Sequence, residues 1–171
     1  RGPHACVASW NADGQAQIWA SSQGQFAVRN MTAAVLRMPV ADLRVFPLEI
    51  GGGFGGKTTI YLEPVAMLLS RRAGRPVRLA MKRDEVFCGS GPAPGGTIDV
   101  KIGAAADGTL LGATVEFWYR AGAFPGSDTH AAASSALSHY RLDNSRVTGW
   151  DVVCNMPSTH APITSMAKRV M

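Results

Sequence analysis

Hydrophobic and polar residues along this chain follow two kinds of pattern. Strand-like runs, with alternating, β-branched or aromatic residues, occupy residues 7–10, 17–20, 43–50, 77–81, 97–104, 110–119 and 147–154. Approximate helical spacing of apolar residues occurs in residues 26–38, 59–73 and 131–139. Because strands and helices are interleaved without strict alternation, the pattern predicts an α+β fold with a mixed or largely antiparallel sheet and packed helices.

Proline, glycine and threonine residues mark where these elements begin and end. Pro39 ends the first helix, and Gly74 is a C-terminal signal for the second helix. Thr58 or Thr59 is the N-cap candidate of that second helix. Pro47 predicts that the third strand lies at a sheet edge or is briefly interrupted.

Residues 51–58 read Gly-Gly-Gly-Phe-Gly-Gly-Lys-Thr and are called the glycine loop below. Glycine loses more conformational entropy on folding than any other residue, so this density predicts positive φ angles or the close approach of a ligand. The alternative is a mobile surface loop. Because the flanking segments have clear strand and helix patterns, we favour a cofactor-binding loop.

The glycine loop also fits two nucleotide-binding patterns, the P-loop and the dinucleotide fingerprint, which both hold phosphate on backbone N–H groups. A P-loop hydrolase also needs a strand ending in a metal-binding Asp, and the candidate strand ending at Asp151 is interrupted by Gly149. A dinucleotide fold needs an acidic residue about 20 positions on, where the next strand ends in Lys82 and Arg83 instead. Neither pattern is complete.

A longer set of motifs covers nearly the whole chain. In order they are Trp19-Ala20-Ser21-Ser22-Gln23, residues 50–57, Tyr61-Leu62-Glu63-Pro64, Gly74-Arg75-Pro76-Val77, Asp107-Gly108-Thr109-Leu110, Ala121-Gly122-Ala123-Phe124 and Cys154-Asn155-Met156-Pro157-Ser158. Together they resemble the molybdenum-binding large subunit of the xanthine dehydrogenase and aldehyde oxidase family, the molybdenum hydroxylases. The resemblance implies that residues 1–161 belong to a molybdopterin-binding domain, with residues 162–171 unassigned. Subunits of that family are several times longer, so a fragment is expected.

The resemblance also implies a site. Gly52, Gly53, Phe54 and Gly55 match the loop that approaches the molybdenum ligands, and Gln23 matches a glutamine near the apical oxygen. A neutral amide donates a hydrogen bond without adding charge, which suits an oxo ligand. If the strands before these two segments are neighbours, both loops emerge at one sheet edge, and we expect a gap between them wide enough for a metal centre. The pterin holds the metal in this family, so no direct protein ligand is predicted.

Departures from the family pattern limit what the resemblance implies. The general base of the family is a glutamate beyond the end of this chain, so the catalytic residue is unknown here. Purine-oxidising relatives carry a substrate-binding glutamate after Gly-Gly-Lys, where this chain has Thr58. Purine is therefore a poor substrate prediction, and Lys57 is interpreted as structural.

The resemblance predicts the cofactor-binding part of an oxidoreductase that hydroxylates aldehydes or N-heterocycles with oxygen derived from water. Its cofactor would be molybdopterin, with the cytosine dinucleotide form as one candidate, while iron–sulfur clusters and FAD would lie on partner subunits or in missing regions. The remainder of the molybdenum subunit is the first expected partner, and the fragment alone is expected to be inactive. Two alternatives stay open: a P-loop nucleotide hydrolase and a non-enzymatic basic interaction module.

Composition changes this picture little. The chain has 171 residues, 46% hydrophobic, with a net charge of +5, and its basic cluster at residues 71–83 has no interleaved aromatic residues. Neither nucleic-acid binding nor a membrane span is predicted, because stacking platforms and an apolar run of roughly 20 residues are both missing. Its three cysteines, Cys6, Cys88 and Cys154, form no CxxC pair, which favours a reducing compartment such as the cytoplasm.

Overall fold

The structure is a computed structural model that describes residues 2–159. The chain divides into two compact units, Arg1–Ser90 and Gly91–Met171. The first unit contains three α-helices and the second contains one among the described residues, each with a mixed sheet, so the predicted α+β class is confirmed.

The N-terminal unit contains a four-stranded sheet and three α-helices. In chain order its elements are β1 (Ala5–Trp10), β2 (Ala16–Ala20), α1 (Gln25–Leu36), a 3-10 turn (Val40–Asp42), β3 (Leu43–Pro47), α2 (Glu63–Ala73), β4 (Val77–Ala80) and α3 (Arg83–Gly89). The strand order is β3-β2-β1-β4, with β1 antiparallel to both β2 and β4. The β2–β3 pair is parallel.

One face of this sheet forms the core with α1 and α2. Alternate residues of β1 and β2 point to that face, and the pairs Cys6↔Ala20 and Ala8↔Ile18 are buried there. The helices contribute small side chains, including Ala33 of α1, to the same cluster. Small residues on both sides allow helix and sheet backbones to approach closely, which fixes where the loops after the strands emerge.

The parallel pairing of β2 with β3 positions the candidate site. Ala20 lies opposite Pro47, so the chain leaves both strands at the same end of the sheet. The backbone N–H of Leu48 still donates to the carbonyl of Ala20, at 2.9 Å. The predicted adjacency of the two strands is confirmed, as is the edge position of the strand that contains Pro47.

The helix after the glycine loop starts later than predicted. Its first residue is Glu63 and its N-cap is Leu62, so the prediction that Thr58 or Thr59 caps it is wrong. Thr58 instead donates its hydroxyl to the carbonyl of Gly55, at 3.0 Å. The helix ends as predicted, with Gly74 in the left-handed conformation at φ 63°.

The C-terminal unit is built on a three-stranded sheet. Its elements are β5 (Gly96–Ala104), β6 (Leu110–Gly122), α4 (Thr129–Ser135) and β7 (Ser145–Val153), with strand order β5-β6-β7. The β5–β6 hairpin is antiparallel, and β7 is parallel to β6. Gly149 does not interrupt β7, contrary to the sequence prediction. A Cβ at Gly149 would lie 2.6 Å from the ring of Phe117, so this glycine makes room for a core aromatic.

Candidate functional site

Two reciprocal hydrogen bonds join the segment after β2 to the glycine loop. The backbone N–H of Gln23 donates to the carbonyl of Lys57 at 2.9 Å, and the N–H of Lys57 donates to Oε1 of Gln23 at 3.1 Å. Ser22 is buried beside them, and its hydroxyl accepts a bond of 3.0 Å from the N–H of Gly24. The structure therefore brings the predicted Gln23 and the predicted loop into direct contact.

Gly53 is the closest point of that contact. A Cβ built on Gly53 would lie 2.3 Å from both Cδ and Oε1 of Gln23, well inside van der Waals contact. Gly53 is thus required because the glutamine amide occupies the space of a side chain. The predicted gap for a metal centre between Gln23 and the loop is wrong, since the two touch.

The loop backbone has an unusual conformation. The φ angles of Gly51, Gly52, Phe54 and Gly55 are all positive, at 63°, 85°, 49° and 78°. Alternation of left-handed and other conformations turns successive N–H groups toward one side and forms anion-binding concavities called nests. Within residues 2–159, the N–H groups of residues 52–55 donate no hydrogen bond. The loop therefore contains four adjacent backbone donors that have no partner among the described residues.

Phe54 is the only side chain among residues 52–55, and it is 48% exposed. A non-glycine residue with positive φ is uncommon, and such strain persists only where the surroundings enforce it. Other apolar side chains are exposed beyond the ends of both strands, with Phe26 in the first turn of α1 and Leu48 just after β3. The backbone donors thus lie on segments that also expose apolar side chains.

The buried side chain of Lys57 links the two ends of the glycine loop. It is 2% exposed, and its Nζ donates to the carbonyl of Ile50 at the start of the loop. A P-loop lysine must reach phosphates from the start of a helix that follows directly, whereas α2 begins six residues later, at Glu63. This geometry supports the structural interpretation of Lys57 and gives no support to a P-loop. Sequence reasoning found Lys57 but not its partner carbonyl.

Burial makes Cys6 chemically inert in this site's supporting core. Desolvation, followed by the nearby charge of Glu63, raises the pKa of the Cys6 thiol from 9.0 to about 12. A neutral thiol is neither nucleophile nor metal ligand at physiological pH. Among residues 2–159, no group of three His, Cys, Asp or Glu side chains is placed to hold a metal ion.

The C-terminal unit joins two further motifs that carried the resemblance. The N–H of Cys154 donates to the carbonyl of Gly122 at 2.9 Å, and the N–H of Thr159 donates to the carbonyl of Ala121 at 3.0 Å. Gly122 has φ 89°, and a Cβ there would lie 2.4 Å from the carbonyl oxygen of Pro157. The two motifs therefore form one packed element within that unit. Residues 160–171, including the predicted unassigned segment 162–171, lie outside the described chain.

Comparison with known proteins identifies the domain in which this loop and amide occur. The family model for the molybdopterin cofactor-binding domain matches residues 2–162. The chain belongs to this family, the cofactor-binding domain of the xanthine dehydrogenases and aldehyde oxidoreductases.

Individual relatives agree with this assignment. The chain is 34% identical over 124 residues to the xanthine dehydrogenase molybdenum-binding subunit of Escherichia coli O157:H7, covering 72% of this chain and 16% of the relative. It is 29% identical over 163 residues to the nicotinate dehydrogenase large molybdopterin subunit of Eubacterium barkeri, covering 93% and 38%. The solved aldehyde oxidoreductase of Desulfovibrio gigas superimposes with a TM-score of 0.77 at 25% identity, covering 93% of this chain and 18% of that one.

The chain thus spans between about one eighth and two fifths of the length of such relatives, from 12% to 38%. Within residues 2–159, none of the helices has the length and apolar character needed to cross a membrane.

Proposed function

We propose that Gln23 and the backbone of residues 52–55 line one side of a molybdenum cofactor site, in an oxidoreductase that hydroxylates aldehydes or N-heterocycles with oxygen from water. One observation carries the proposal: four adjacent backbone N–H groups donate to nothing in the described chain, beside an amide that is held in place. Metal-bound oxygen, sulfur and phosphate oxygens are all acceptors, so preorganised donors suit them.

The residues present fit such a group. Gly52, Gly53 and Gly55 carry no side chain, so a bulky ligand can approach the loop backbone directly. Gly53 and Gly55 are buried. A hydrogen bond from a buried N–H group to a ligand is stronger than the same bond in bulk water. An unpaired buried N–H is costly, and a ligand acceptor would offset that cost.

The hydrogen bond from Lys57 decides how the amide of Gln23 is oriented. Since Oε1 accepts from the Lys57 N–H, Nε2 is the end that remains available to donate. The cofactor, when bound, supplies a metal that accepts two electrons during hydroxylation. Gln23 would donate to an oxygen of that group without adding charge, and Phe54 would offer its half-exposed ring to a planar substrate or cofactor ring.

Thr58 bears on the substrate class. It is exposed, and its hydroxyl is bonded to the carbonyl of Gly55 rather than directed to a ligand. Purine-oxidising members of the family carry a glutamate at this position. Thr58 has neither the negative charge nor the side-chain length of that glutamate. An aldehyde or a non-purine N-heterocycle is the substrate we propose.

Other parts of the enzyme would complete the reaction. We assign the general base to a glutamate outside this chain, and the iron–sulfur and FAD groups to partner subunits or further domains. The pterin would carry a dinucleotide extension, with the cytosine form as the candidate. The isolated chain would then be inactive.

The test compares Gln23→Ala with Gln17→Ala in the complete subunit that carries this domain. Gln17 lies on β2, outside the loop contacts, and is the matched control. Loss of the amide should lower cofactor affinity about 10-fold or more, as removal of supporting hydrogen bonds does at other metal sites. Molybdenum and pterin are measured per protein chain. Equal content in the wild type and in both variants would contradict the assignment of Gln23.

A further inference from the structure

Residues 53–56 of the glycine loop form a tight turn, called the Phe54 turn below. The N–H of Gly56 donates to the carbonyl of Gly53 at 2.9 Å, and the two central residues, Phe54 and Gly55, have φ angles of 49° and 78°. Two successive positive φ angles are typical of a type I′ turn, which favours Asn, Asp or Gly at both central positions. Phe54 is none of these, so the turn is unfavourable at that residue and needs contacts that hold it.

The side chain of Thr58 contacts this turn from outside it. Its hydroxyl donates to the carbonyl of Gly55 at 3.0 Å, and that carbonyl belongs to the same planar peptide group as the N–H of Gly56. The peptide group between Gly55 and Gly56 is therefore bound at both ends, through its oxygen to Thr58 and through its N–H to Gly53. It cannot rotate without breaking one of these hydrogen bonds, so the conformation of the turn depends on the Thr58 hydroxyl.

Other anchors of the glycine loop act on its ends. The Nζ of Lys57 donates to the carbonyl of Ile50, and the N–H of Gly2 donates to the carbonyl of Gly51 at 2.7 Å. These bonds fix where the loop begins and ends, but they do not involve the peptide groups on either side of Gly55. Thr58 acts on the turn itself.

We propose that Thr58 is a positioning residue of the cofactor loop. Its hydroxyl keeps Phe54 in the left-handed conformation and so directs the N–H groups of Phe54 and Gly55 toward a bound acceptor. Because that acceptor would be the molybdenum cofactor, this role rests on the proposed function. Position 58, where purine-oxidising members of the family carry a substrate-binding glutamate, serves the shape of the loop in this chain, through Gly55 and without contact to cofactor or substrate.

Three substitutions separate the hydroxyl from the other properties of Thr58. Thr58→Val keeps the shape and removes the donor, and Thr58→Ser keeps the donor. Thr58→Glu introduces a carboxylate, which accepts hydrogen bonds at neutral pH but does not donate them. Thr59→Val is the matched control, because the neighbouring Thr59 hydroxyl contacts the sulfur of Met31, at 3.5 Å, and not the loop. Circular dichroism of every variant verifies folding.

The first test measures hydrogen exchange of the Gly56 amide by NMR in the 171-residue chain. Thr58→Val and Thr58→Glu should raise its exchange rate about 5-fold, the factor expected for one neutral hydrogen bond, whereas Thr58→Ser and Thr59→Val should leave it unchanged. The Gly74 amide is the internal reference, since it donates to the carbonyl of Ser70 at the end of α2. A hydroxyl that contributed only to overall stability would change both amides together.

The second test measures molybdenum and pterin per protein chain in the complete subunit that carries this domain. Thr58→Val and Thr58→Glu should lower the content about 5-fold, because a loop that is no longer held in its binding conformation loses affinity. Thr58→Ser and Thr59→Val should retain the wild-type content.

The proposal would be overturned by equal Gly56 exchange in the wild type and in Thr58→Val or Thr58→Glu, by an equal change at Gly74, or by loss of protection in Thr58→Ser. Gln23→Ala separates this proposal from the proposed function. If Gln23→Ala lowers the cofactor content and Thr58→Val does not, the positioning role is wrong while the proposed function stands. If neither lowers the content although Thr58→Val accelerates Gly56 exchange, the loop does not hold the cofactor and both proposals are wrong.

Discussion

Gln23 and Lys57 lie 34 positions apart in the chain and exchange two hydrogen bonds, one from each backbone N–H. The two acceptors are the backbone carbonyl of Lys57 and the side-chain oxygen of Gln23. The Gln23 side chain therefore takes the place of a backbone carbonyl and links the two loops. Those loops follow the parallel strands β2 and β3, so these two hydrogen bonds continue the contact between the two chain segments beyond the last strand pair. The amide is consequently placed by the fold before any ligand arrives.

The Gly53 contact yields the first prediction. A methyl group at position 53 would displace the Gln23 amide, so Gly53→Ala should break the bond from the Lys57 N–H and lower the free energy of unfolding by about 1–2 kcal/mol. Urea unfolding measures the change. Gly89→Ala is the matched control, because its new Cβ would meet only the end of Met81, at 3.5 Å.

A double variant tests whether the clash is with Gln23 itself. In a Gln23→Ala background, Gly53→Ala should cost clearly less, with a coupling of about 1 kcal/mol. An identical cost in both backgrounds would show that some other contact makes Gly53 necessary.

The sequence contained enough information for the neighbourhood of this site but not for its contacts. Strand patterns ending near Ala20 and Ile50 led us to expect that both following loops leave one sheet edge if the two strands are neighbours, and the parallel pairing confirms it, although the third strand ends earlier, at Pro47. The direct contact of Gln23 with Gly53 was not predictable, because a contact between residues 30 positions apart depends on the backbone path through several positive φ angles. No local pattern encodes that path.

Two other differences have local causes. The start of α2 was placed too early because apolar spacing continues upstream, whereas Pro64 in the first turn and Glu63, whose carboxylate accepts from the Tyr61 N–H, fix it at Glu63. Helix α3 was missed because it has only seven residues and ends in Gly89. Its start does carry a signal, since the carboxylate of Glu85 accepts from the N–H of Lys82 at 2.6 Å.

Arg37 provides a prediction about stability. It ends α1 in the left-handed conformation, at φ 52° and ψ 42°, where glycine is the favoured residue. Arg37→Gly should raise the free energy of unfolding by about 0.5–1 kcal/mol, since relief of strain exceeds the added entropy of the unfolded chain. Denaturant midpoints at an unchanged m-value measure it. Arg37→Ala keeps the strain, so a glycine variant less stable than the alanine one would contradict the argument.

The raised pKa of Cys6 predicts selective thiol reactivity. A shift from 9.0 to about 12 lowers the thiolate fraction near neutral pH about 1000-fold, so iodoacetamide should label exposed Cys88 long before buried Cys6. The pKa of Cys6 is higher in the folded than in the unfolded chain. The contribution of the neutral thiol to folding stability is therefore complete below pH 9 and is lost as the pH rises toward 12. Peptide mapping by mass spectrometry follows the labelling. Equal rates for the two thiols in the folded chain would contradict the burial of Cys6.

The hydrogen bonds of Asp151 predict that the segment before α4 is held against β7 in a pH-dependent way. Its carboxylate accepts from the N–H groups of Gly126 and Ser127, at 2.8 and 3.2 Å, and from the Ser127 hydroxyl. Desolvation acts to raise the pKa of Asp151, but these hydrogen bonds outweigh it and lower the pKa below the usual 3.8. A lowered folded pKa means that the stabilisation is present above about pH 4 and is lost as the pH falls through the folded value.

Hydrogen exchange of the Gly126 and Ser127 amides across that acidic range measures this attachment. Protection should decrease on acidification in the wild type, and Asp151→Asn should reduce it above the folded pKa of Asp151 while removing the acid-dependent part, at a cost of about 1 kcal/mol. Asp128→Asn is the control, because burial raises the pKa of Asp128 and its titration therefore acts with the opposite sign. If Asp151→Asn leaves the acid dependence intact while Asp128→Asn abolishes it, the attachment depends on Asp128 and the role given to Asp151 is wrong.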